Sequence, residues 1–115
     1  MRSGFELTLA KNLEERGVAF EYETLTIDYR GAPRKYKPDF ILENGIIIEA
    51  KGRLTVDNRT KHLLVKAQHP EHDIRFVFQA DNPINKGSTT RYSDWCEKHG
   101  FQYAIREIPQ EWIDE

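Results

Sequence analysis

Two short apolar runs joined by an asparagine–glycine pair constrain the fold of this chain more than any other feature. Residues 40–42 and 46–48 are all phenylalanine, leucine or isoleucine, and runs of this kind are typical of buried strands. The pair between them, Asn44 and Gly45, is a strong short-range signal for a β-hairpin. We therefore predict that the two runs are neighbouring antiparallel strands in the core of the protein.

The length of the hairpin loop decides which charged side chains lie on the same face of the sheet. A two-residue turn would pair Phe40 with Glu49, so that Asp39 and Glu49 would point to opposite faces. A three-residue loop with Gly45 in the left-handed region pairs Asp39 with Glu49 instead. Lys51 then shares their face, because side chains alternate along a strand. We predict this three-residue loop, or a bulge with the same effect on the register. The opposite face is then apolar: Phe40, Leu42, Ile46, Ile48 and Ala50.

Asp39, together with Glu49 and Lys51 on the next strand, has the chemistry of a site that hydrolyses phosphodiesters with a divalent metal ion. Carboxylates hold Mg²⁺ while leaving room for water and substrate, and the metal acidifies the attacking water. A lysine adds positive charge where negative charge grows in the transition state. The spacing alone is weak evidence, since charges often form the solvated face of a strand. Charges at the ends of buried strands are costly unless they are paired or bound to metal, which favours the functional interpretation.

Length and charge limit the class of protein. The 115 residues are predicted to form one domain, 1–115, and contain no apolar run long enough to span a membrane. Cys96 is the single cysteine, which excludes an internal disulfide and is typical of a reducing cytoplasm.

The net charge of −2 argues against a nucleic-acid partner, but residues 30–66 carry nine basic and four acidic residues. That local positive field could attract a phosphate backbone, although a polar surface explains it equally well.

The remaining pattern predicts an α/β fold in which a mixed β-sheet is flanked by helices, in the order α-β-β-β-α-β-α-β. The predicted elements are a helix that opens at Ser3 and stops at Gly17, strands at 18–27, 35–42 and 45–51, a helix from Asp57 or Asn58 to about Gln68, a strand at 74–78, a helix at 93–99, a strand at 101–104 and a helical turn at 109–113. Ser3 and Glu6 fit a capping box. The inward side chains of the second helix are predicted to be Leu63, Leu64 and Ala67.

Two other clusters have simpler explanations than a site. His69, Glu71 and His72 surround Pro70, which excludes the helical spacing of a zinc motif, and a helix-terminating turn accounts for them. The loop that begins at Lys86 could contact phosphates but is also typical of a polar connection.

The chain resembles the phage endonuclease I group of Holliday-junction resolvases, within the PD-(D/E)xK nucleases. The likeness runs through nearly the whole sequence. It is carried by residues 2–6, 20–23, 36–40, 44–46, 49–52, 61–64, 68–71, 73–75, 86–88, 96–100 and 111–113.

This resemblance implies a restriction-endonuclease-like fold and assigns roles to individual residues. Asp39, Glu49 and the backbone carbonyl of Ala50 would be metal ligands, and Glu6 would be a further catalytic carboxylate that helps to hold a second ion. Lys51 would orient the water or stabilise the transition state. The cofactor would be Mg²⁺, for which Mn²⁺ can substitute, with two ions per site. Local sequence alone makes Glu6 a helix cap, and both roles remain open.

The resemblance also implies a domain-swapped homodimer that acts on four-way DNA junctions in the cytoplasm of an infected bacterium. A bridging strand would exchange between subunits, so that each site would receive Glu6 from the partner chain. The segment from Asp28 to Lys35 is short for such a bridge, however, and Gly31-Ala32-Pro33 could instead turn a tight hairpin and give a monomer. We expect neither a membrane partner nor a small-molecule cofactor.

DNA contacts are expected from basic and polar residues near the site and the amino terminus. They are Arg2, Ser3, Arg34, Lys35, Lys37, Arg53, Arg59, Lys61 and Lys86. Two alternative functions remain open at this point. One is a nicking or restriction-type nuclease on linear duplex, and the other is a non-catalytic DNA-binding protein that retains the fold.

Overall fold

The computed structural model describes residues 4–30 and 35–115. Within these ranges the elements in chain order are α1 (Gly4–Glu15), β1 (Phe20–Tyr22), β2 (Ile27–Asp28), β3 (Lys35–Tyr36), β4 (Phe40–Leu42), β5 (Ile47–Lys51), α2 (Val56–Gln68), β6 (Ile74–Phe78), α3 (Tyr92–His99), β7 (Tyr103–Ile105) and α4 (Gln110–Asp114). No helix in the described part of the chain is both long and apolar enough to cross a membrane.

The main sheet is mixed, as predicted. Its strand order is β1-β4-β5-β6-β7, and β2 and β3 form a separate antiparallel pair. The first three strands of the main sheet are antiparallel neighbours, whereas β5, β6 and β7 are parallel. Parallel neighbours need a crossover connection, and α2 and α3 lie in the two connections. The chain is therefore a mixed α/β protein with a sheet flanked by helices.

The predicted three-residue hairpin loop is confirmed. Phe40 pairs with Ile48, and the backbone N–H of Leu42 donates to the carbonyl of Ile46 at 2.8 Å. Gly45 has a φ of 91°, a conformation that costs a side-chain-bearing residue free energy but is open to glycine. Extending this register by one residue places Asp39 opposite Glu49.

Each face of the sheet carries its own core. Side chains of α1 and α4 pack on one face, where the predicted apolar set is buried. This cluster contains Leu9, Leu13, Phe40, Leu42, Ile46, Ile48, Ala50, Val77, Ile108 and Trp112. The other face is covered by α2 and α3 and is rich in aromatic rings. Its cluster near α3 contains Leu54, Phe76, Phe78, Tyr92, Trp95, Cys96 and Phe101. Glu49 and Lys51 therefore project from the α2 side, since they alternate with Ile48 and Ala50.

Two predicted strands are each divided in the structure. The strand predicted at 18–27 is interrupted after β1, where Glu23 adopts a left-handed φ of 53°. The strand predicted at 35–42 is interrupted between β3 and β4, where Pro38 offers no N–H to a ladder. The last strand begins at Tyr103, two residues later than predicted. These breaks separate β1 and β4, which belong to the main sheet, from β2 and β3, which form the small antiparallel pair.

The second helix begins earlier than predicted and buries two residues that were not predicted to face inward. Thr55, not Asp57 or Asn58, is its N-cap, and its side chain accepts from the backbone N–H of Asn58 at 3.1 Å. The buried residues are His62 and Val65. The predicted inward set is therefore correct in part: Leu63 and Leu64 are partly buried and pack against the core clusters, whereas Ala67 is exposed.

Both ends of the first helix were predicted correctly within a residue or two. It spans Gly4–Glu15, buries Leu9 and Leu13, and is followed by Gly17 with a φ of 69°. Ser3, the expected cap, lies outside the described residues.

Candidate active site

Asp39 and Glu49 lie side by side because the hairpin register brings their strands together at that point. Both are buried, with exposures of 8% and 2%. One oxygen of Asp39, Oδ2, accepts a hydrogen bond from the backbone N–H of Ala50 at 2.9 Å. This bond fixes the Asp39 carboxylate across the gap between the strands and leaves Oδ1 for another ligand.

Glu49 is held from both sides. The ammonium of Lys51 lies 3.0 Å from its Oε1, and the hydroxyl of Tyr36 donates to its Oε2 at 2.6 Å. Burial raises the pKa of Glu49, but the charge of Lys51, the neighbouring His62 and the hydrogen bond from Tyr36 outweigh it, so that the pKa lies below its ordinary value. Glu49 is therefore an anion with a fixed orientation.

Asp39 has the opposite electrostatic environment. Burial, and then the negative charge of Glu49, raise its pKa to about 8, with Glu6 adding a smaller contribution in the same direction. The hydrogen bond from Ala50 and the charge of Lys51 lower it only in part. A divalent cation between these carboxylates would offset their mutual repulsion, and hard oxygen donors are the ligands that Mg²⁺ and Mn²⁺ prefer.

Glu6 reaches the same site from the first turn of α1. The hydroxyl of Tyr22 donates to its Oε2 at 2.5 Å. One carboxylate oxygen each of Glu6, Glu23 and Asp39 lie within 4.8 Å of one another. The structure therefore brings Glu6 to Asp39 within one chain, whereas the family resemblance implied a Glu6 supplied by the partner chain.

Glu23 is the site residue that sequence reasoning missed. Its backbone N–H donates to the carbonyl of Asp39 at 3.1 Å, and its left-handed conformation ends the strand pairing at this point. A simple alternation places Glu21 and Glu23 on one face of a strand, so the pattern gives no reason to choose between them. Only the reversal of the backbone at Glu23 distinguishes the two.

Ala50 and Lys51 occupy the positions predicted for them. Ala50 is 6% exposed and its N–H holds Asp39, while the proposed role of its carbonyl stays a prediction. The side chain of Lys51 is 17% exposed, so it reaches the surface while it remains paired with Glu49.

The predicted DNA contacts divide into two groups. Lys35, Lys37, Arg53 and Lys86 are exposed, and Arg59 and Lys61 are partly buried. Lys61 lies over the ring of Tyr36 at 5.3 Å, and burial and the charge of Lys51 lower its pKa. The charges of Glu49 and Asp39 also act on Lys61, so Lys61 lies close to the site. Arg2, Ser3 and Arg34 lie outside the described residues.

An open groove of about 740 Å³ adjoins the site. It is lined on one side by the start of α1, including Phe5, and on the other by Gly52 and Gln79. Phe5 precedes Glu6 and Gly52 follows Lys51 in the sequence, so the groove is lined by the neighbours of two site residues.

Glu6 and Asp39 come together within one chain. The segment predicted either to bridge two subunits or to turn back on itself is 28–35, and residues 31–34 of it lie outside the described residues. The exchange of this segment between subunits therefore stays a prediction.

The sequence profile of the family described as phage endonuclease I matches residues 1–115. The chain belongs to the phage endonuclease I family. It is 48% identical to Endonuclease I of Escherichia phage T7 in an alignment of 117 residues. The alignment covers 99% of this chain and 78% of that protein. It is also 49% identical to Endodeoxyribonuclease 1 of Enterobacteria phage T3 over 111 residues, which cover 94% of this chain and 73% of that protein. The resemblance given by the sequence motifs is confirmed.

Proposed function

We propose that this member of the phage endonuclease I family is a metal-dependent, structure-selective DNA endonuclease that cleaves four-way and other branched junctions. The observation that carries the proposal is the convergence of Asp39 and Glu49 from neighbouring strands, with Lys51 bound to Glu49 and Glu6 beside Asp39. The names of the phage relatives support DNA as the substrate.

The donor set fits a hard divalent cation. Asp39, Glu49, Glu6 and the carbonyl of Ala50 would hold Mg²⁺ or Mn²⁺, with a second ion bound through Glu6. When bound, the metal would polarise the phosphoryl oxygen. It would also lower the pKa of water, so that hydroxide is available as the nucleophile near neutral pH.

The chain's own contribution is to hold these groups still. Glu49 is anchored by Tyr36 and Lys51, and Asp39 is anchored by Ala50. In this proposal the ammonium of Lys51 stabilises the negative charge that grows on the phosphoryl oxygens. Because a positioned charge is already oriented before reaction, it costs no reorganisation during the chemical step.

Recognition would depend on shape and phosphates. Lys35, Lys37, Arg53, Arg59, Lys61 and Lys86 supply positive charge on the described surface, and Arg2, Ser3 and Arg34 complete the proposed contact set. Contacts to phosphates fix orientation without reading bases, which suits a substrate defined by its branching.

We further propose a homodimer formed by exchange of the segment around 28–35. Two sites fixed in one particle suit a four-way junction, because such a junction needs two paired cuts. In an exchanged dimer Glu6 would come from the partner subunit and would complete the same carboxylate set.

The proposal is tested with a synthetic four-way junction and a linear duplex of matched sequence, each with Mg²⁺ or with EDTA. We expect rapid cleavage of the junction that requires the metal. Lys51→Ala should abolish cleavage and keep junction binding, whereas Lys11→Ala, an exposed lysine on α1, should change neither. Equal rates on junction and duplex would favour a nicking or restriction-type nuclease, and wild-type rates for Lys51→Ala would contradict the site.

A further inference from the structure

A second cluster of donor atoms lies at the other end of α2 from the loop that follows Lys51. The helix ends at Gln68, and the turn after it contains His69, Glu71 and His72. The predicted helix-terminating turn is therefore present, but the turn also brings the three side chains together. One donor atom from each lies within 4.8 Å of the others.

The tautomer of His69 is set by a backbone carbonyl. Its Nε2 lies 2.6 Å from the carbonyl oxygen of Asp28, which can only accept, so Nε2 carries the hydrogen. In the neutral ring the lone pair is then on Nδ1, which faces Glu71. A histidine whose far N–H is donated to a carbonyl is the arrangement that orients metal-binding imidazoles.

The two donor separations that involve Glu71 are close to an edge of a metal tetrahedron. Oε2 of Glu71 lies 3.2 Å from Nδ1 of His69 and 3.6 Å from Nε2 of His72. Ligands bound to Zn²⁺ at about 2.0–2.1 Å in tetrahedral geometry lie about 3.3–3.4 Å apart. Without a cation or a proton, the oxygen and Nδ1 would face each other as two acceptors.

We propose that His69, Glu71 and His72 form a second metal site that takes Zn²⁺ or a similar transition-metal ion. Two imidazole nitrogens and one carboxylate oxygen are a donor set for borderline metals rather than for Mg²⁺. The fourth position is left to water, and the partial exposure of both histidines gives the ion a path from solvent.

The position of the site gives it a structural role. His69 is bonded to Asp28 of β2, and the side chain of Gln68 bonds both the N–H and the carbonyl of Arg30, at 2.7 and 3.0 Å. The metal would therefore tie the end of α2 to the strand that precedes residues 31–34. His62 is the residue of α2 that acts on Glu49. It lies two helical turns before His69, about 10 Å along the helix axis, so the cluster is separate from Asp39 and Glu49. The inference goes beyond the proposed function and does not depend on it.

The test is a calorimetric titration of the whole chain with Zn²⁺ alone as the ligand, in buffer with Mg²⁺ in large excess. The excess Mg²⁺ occupies the carboxylate site but competes poorly for imidazole nitrogen. A slightly alkaline buffer is used, because the carbonyl of Asp28 and the charge of Glu71 raise the pKa of His69 and protons compete with the metal. The same titration is repeated for His72→Gln and for the control His99→Gln.

We expect the wild type and His99→Gln to bind one Zn²⁺ per chain, and His72→Gln to bind it at least about tenfold more weakly. Zn²⁺ should raise the Tm of the first two proteins only. No Zn²⁺ binding by the wild type, or equal binding by His72→Gln, would overturn the proposal. Circular dichroism confirms that each variant is folded, and junction cleavage with Mg²⁺ should be unchanged in His72→Gln.

Discussion

Tyr36 shows how a single neutral side chain shapes the chemistry of a charged one. It is 1% exposed, and its hydroxyl is the partner of Glu49 Oε2. Burial, followed by the charge of Glu49, raises the pKa of Tyr36, so the phenol stays a donor at any working pH. Sequence identified this residue only as part of a strand, because the contact is made across 13 positions and only folding reveals it.

Replacing Tyr36 by Phe should weaken metal binding and slow cleavage. The loss of a hydrogen bond to a buried carboxylate costs about 1.5–3 kcal/mol, so we expect Mn²⁺ affinity, measured by calorimetry, to fall about tenfold or more. Tyr29→Phe is the matched control, since Tyr29 is buried and its hydroxyl has no hydrogen-bond partner among residues 4–30 and 35–115. Unchanged Mn²⁺ affinity in Tyr36→Phe would show that the hydroxyl does not position Glu49.

His62 should make the protein sensitive to acid. It is fully buried between the rings of Tyr36 and Phe76, 4.9 and 4.7 Å away. Burial lowers its pKa from 6.5 to about 3. Between these values the unfolded chain binds the proton and the folded chain does not, so the free energy of unfolding falls as pH falls through this window.

His62 makes the free energy of unfolding fall by up to about 1.4 kcal/mol for each pH unit in this window. The substitution His62→Gln should remove this pH dependence. Urea midpoints measured from pH 7 down to pH 4 compare the two proteins. Parallel curves would mean that His62 is protonated in the folded state, contrary to its buried setting.

At the scale of elements, the hairpin was predictable and the strand breaks were not. Asn44 and Gly45 identify the turn locally, and the demand that Asp39 and Glu49 share a face selects its length. The break at Glu23 has no local signal, because a left-handed glutamate is stable only when neighbouring segments hold it. The cap of α2 was ambiguous for a different reason, since Thr55, Asp57 and Asn58 are all good capping residues.

The loop glycine tests the hairpin directly. A Cβ on Gly45 would meet no atom within 4 Å, but its φ is 91°. Gly45→Ala should therefore lower the free energy of unfolding by about 1–2 kcal/mol through backbone strain alone. Gly4→Ala, also unobstructed but without a positive φ, should be neutral or slightly stabilising. Denaturant titration measures both, and equal stability of the two variants would contradict the loop conformation.

At the scale of the whole molecule, charge is distributed unevenly. The chain has a net charge of −2, yet residues 30–66 are strongly basic, and two carboxylates of the site, Asp39 and Glu49, lie within that basic region. Bound divalent metal would make the region more positive still, so its attraction for DNA should fall steeply with added salt. Net charge alone argues against the DNA partner that we propose, but binding responds to the local field.

Exchange between subunits can be tested by mixing two inactive variants. If Glu6 acts in the partner's site, a mixed dimer of Glu6→Gln and Lys51→Ala has one site with no substitution, and the mixture should nick one strand of a junction. If Glu6 acts within its own chain, every site carries a defect and the mixture stays inactive. The two variants are refolded together before the assay, and co-refolded Lys51→Ala with Lys51→Ala is the control.

The most direct test of the account is the rate at which Glu49→Gln cleaves a four-way junction in Mg²⁺. Glutamine keeps the shape and the bond from Tyr36 but cannot supply the charge that holds a metal. We predict a fall of at least about a hundredfold with junction binding intact. Cleavage at the wild-type rate would contradict the claim that Asp39 and Glu49 together form the catalytic site.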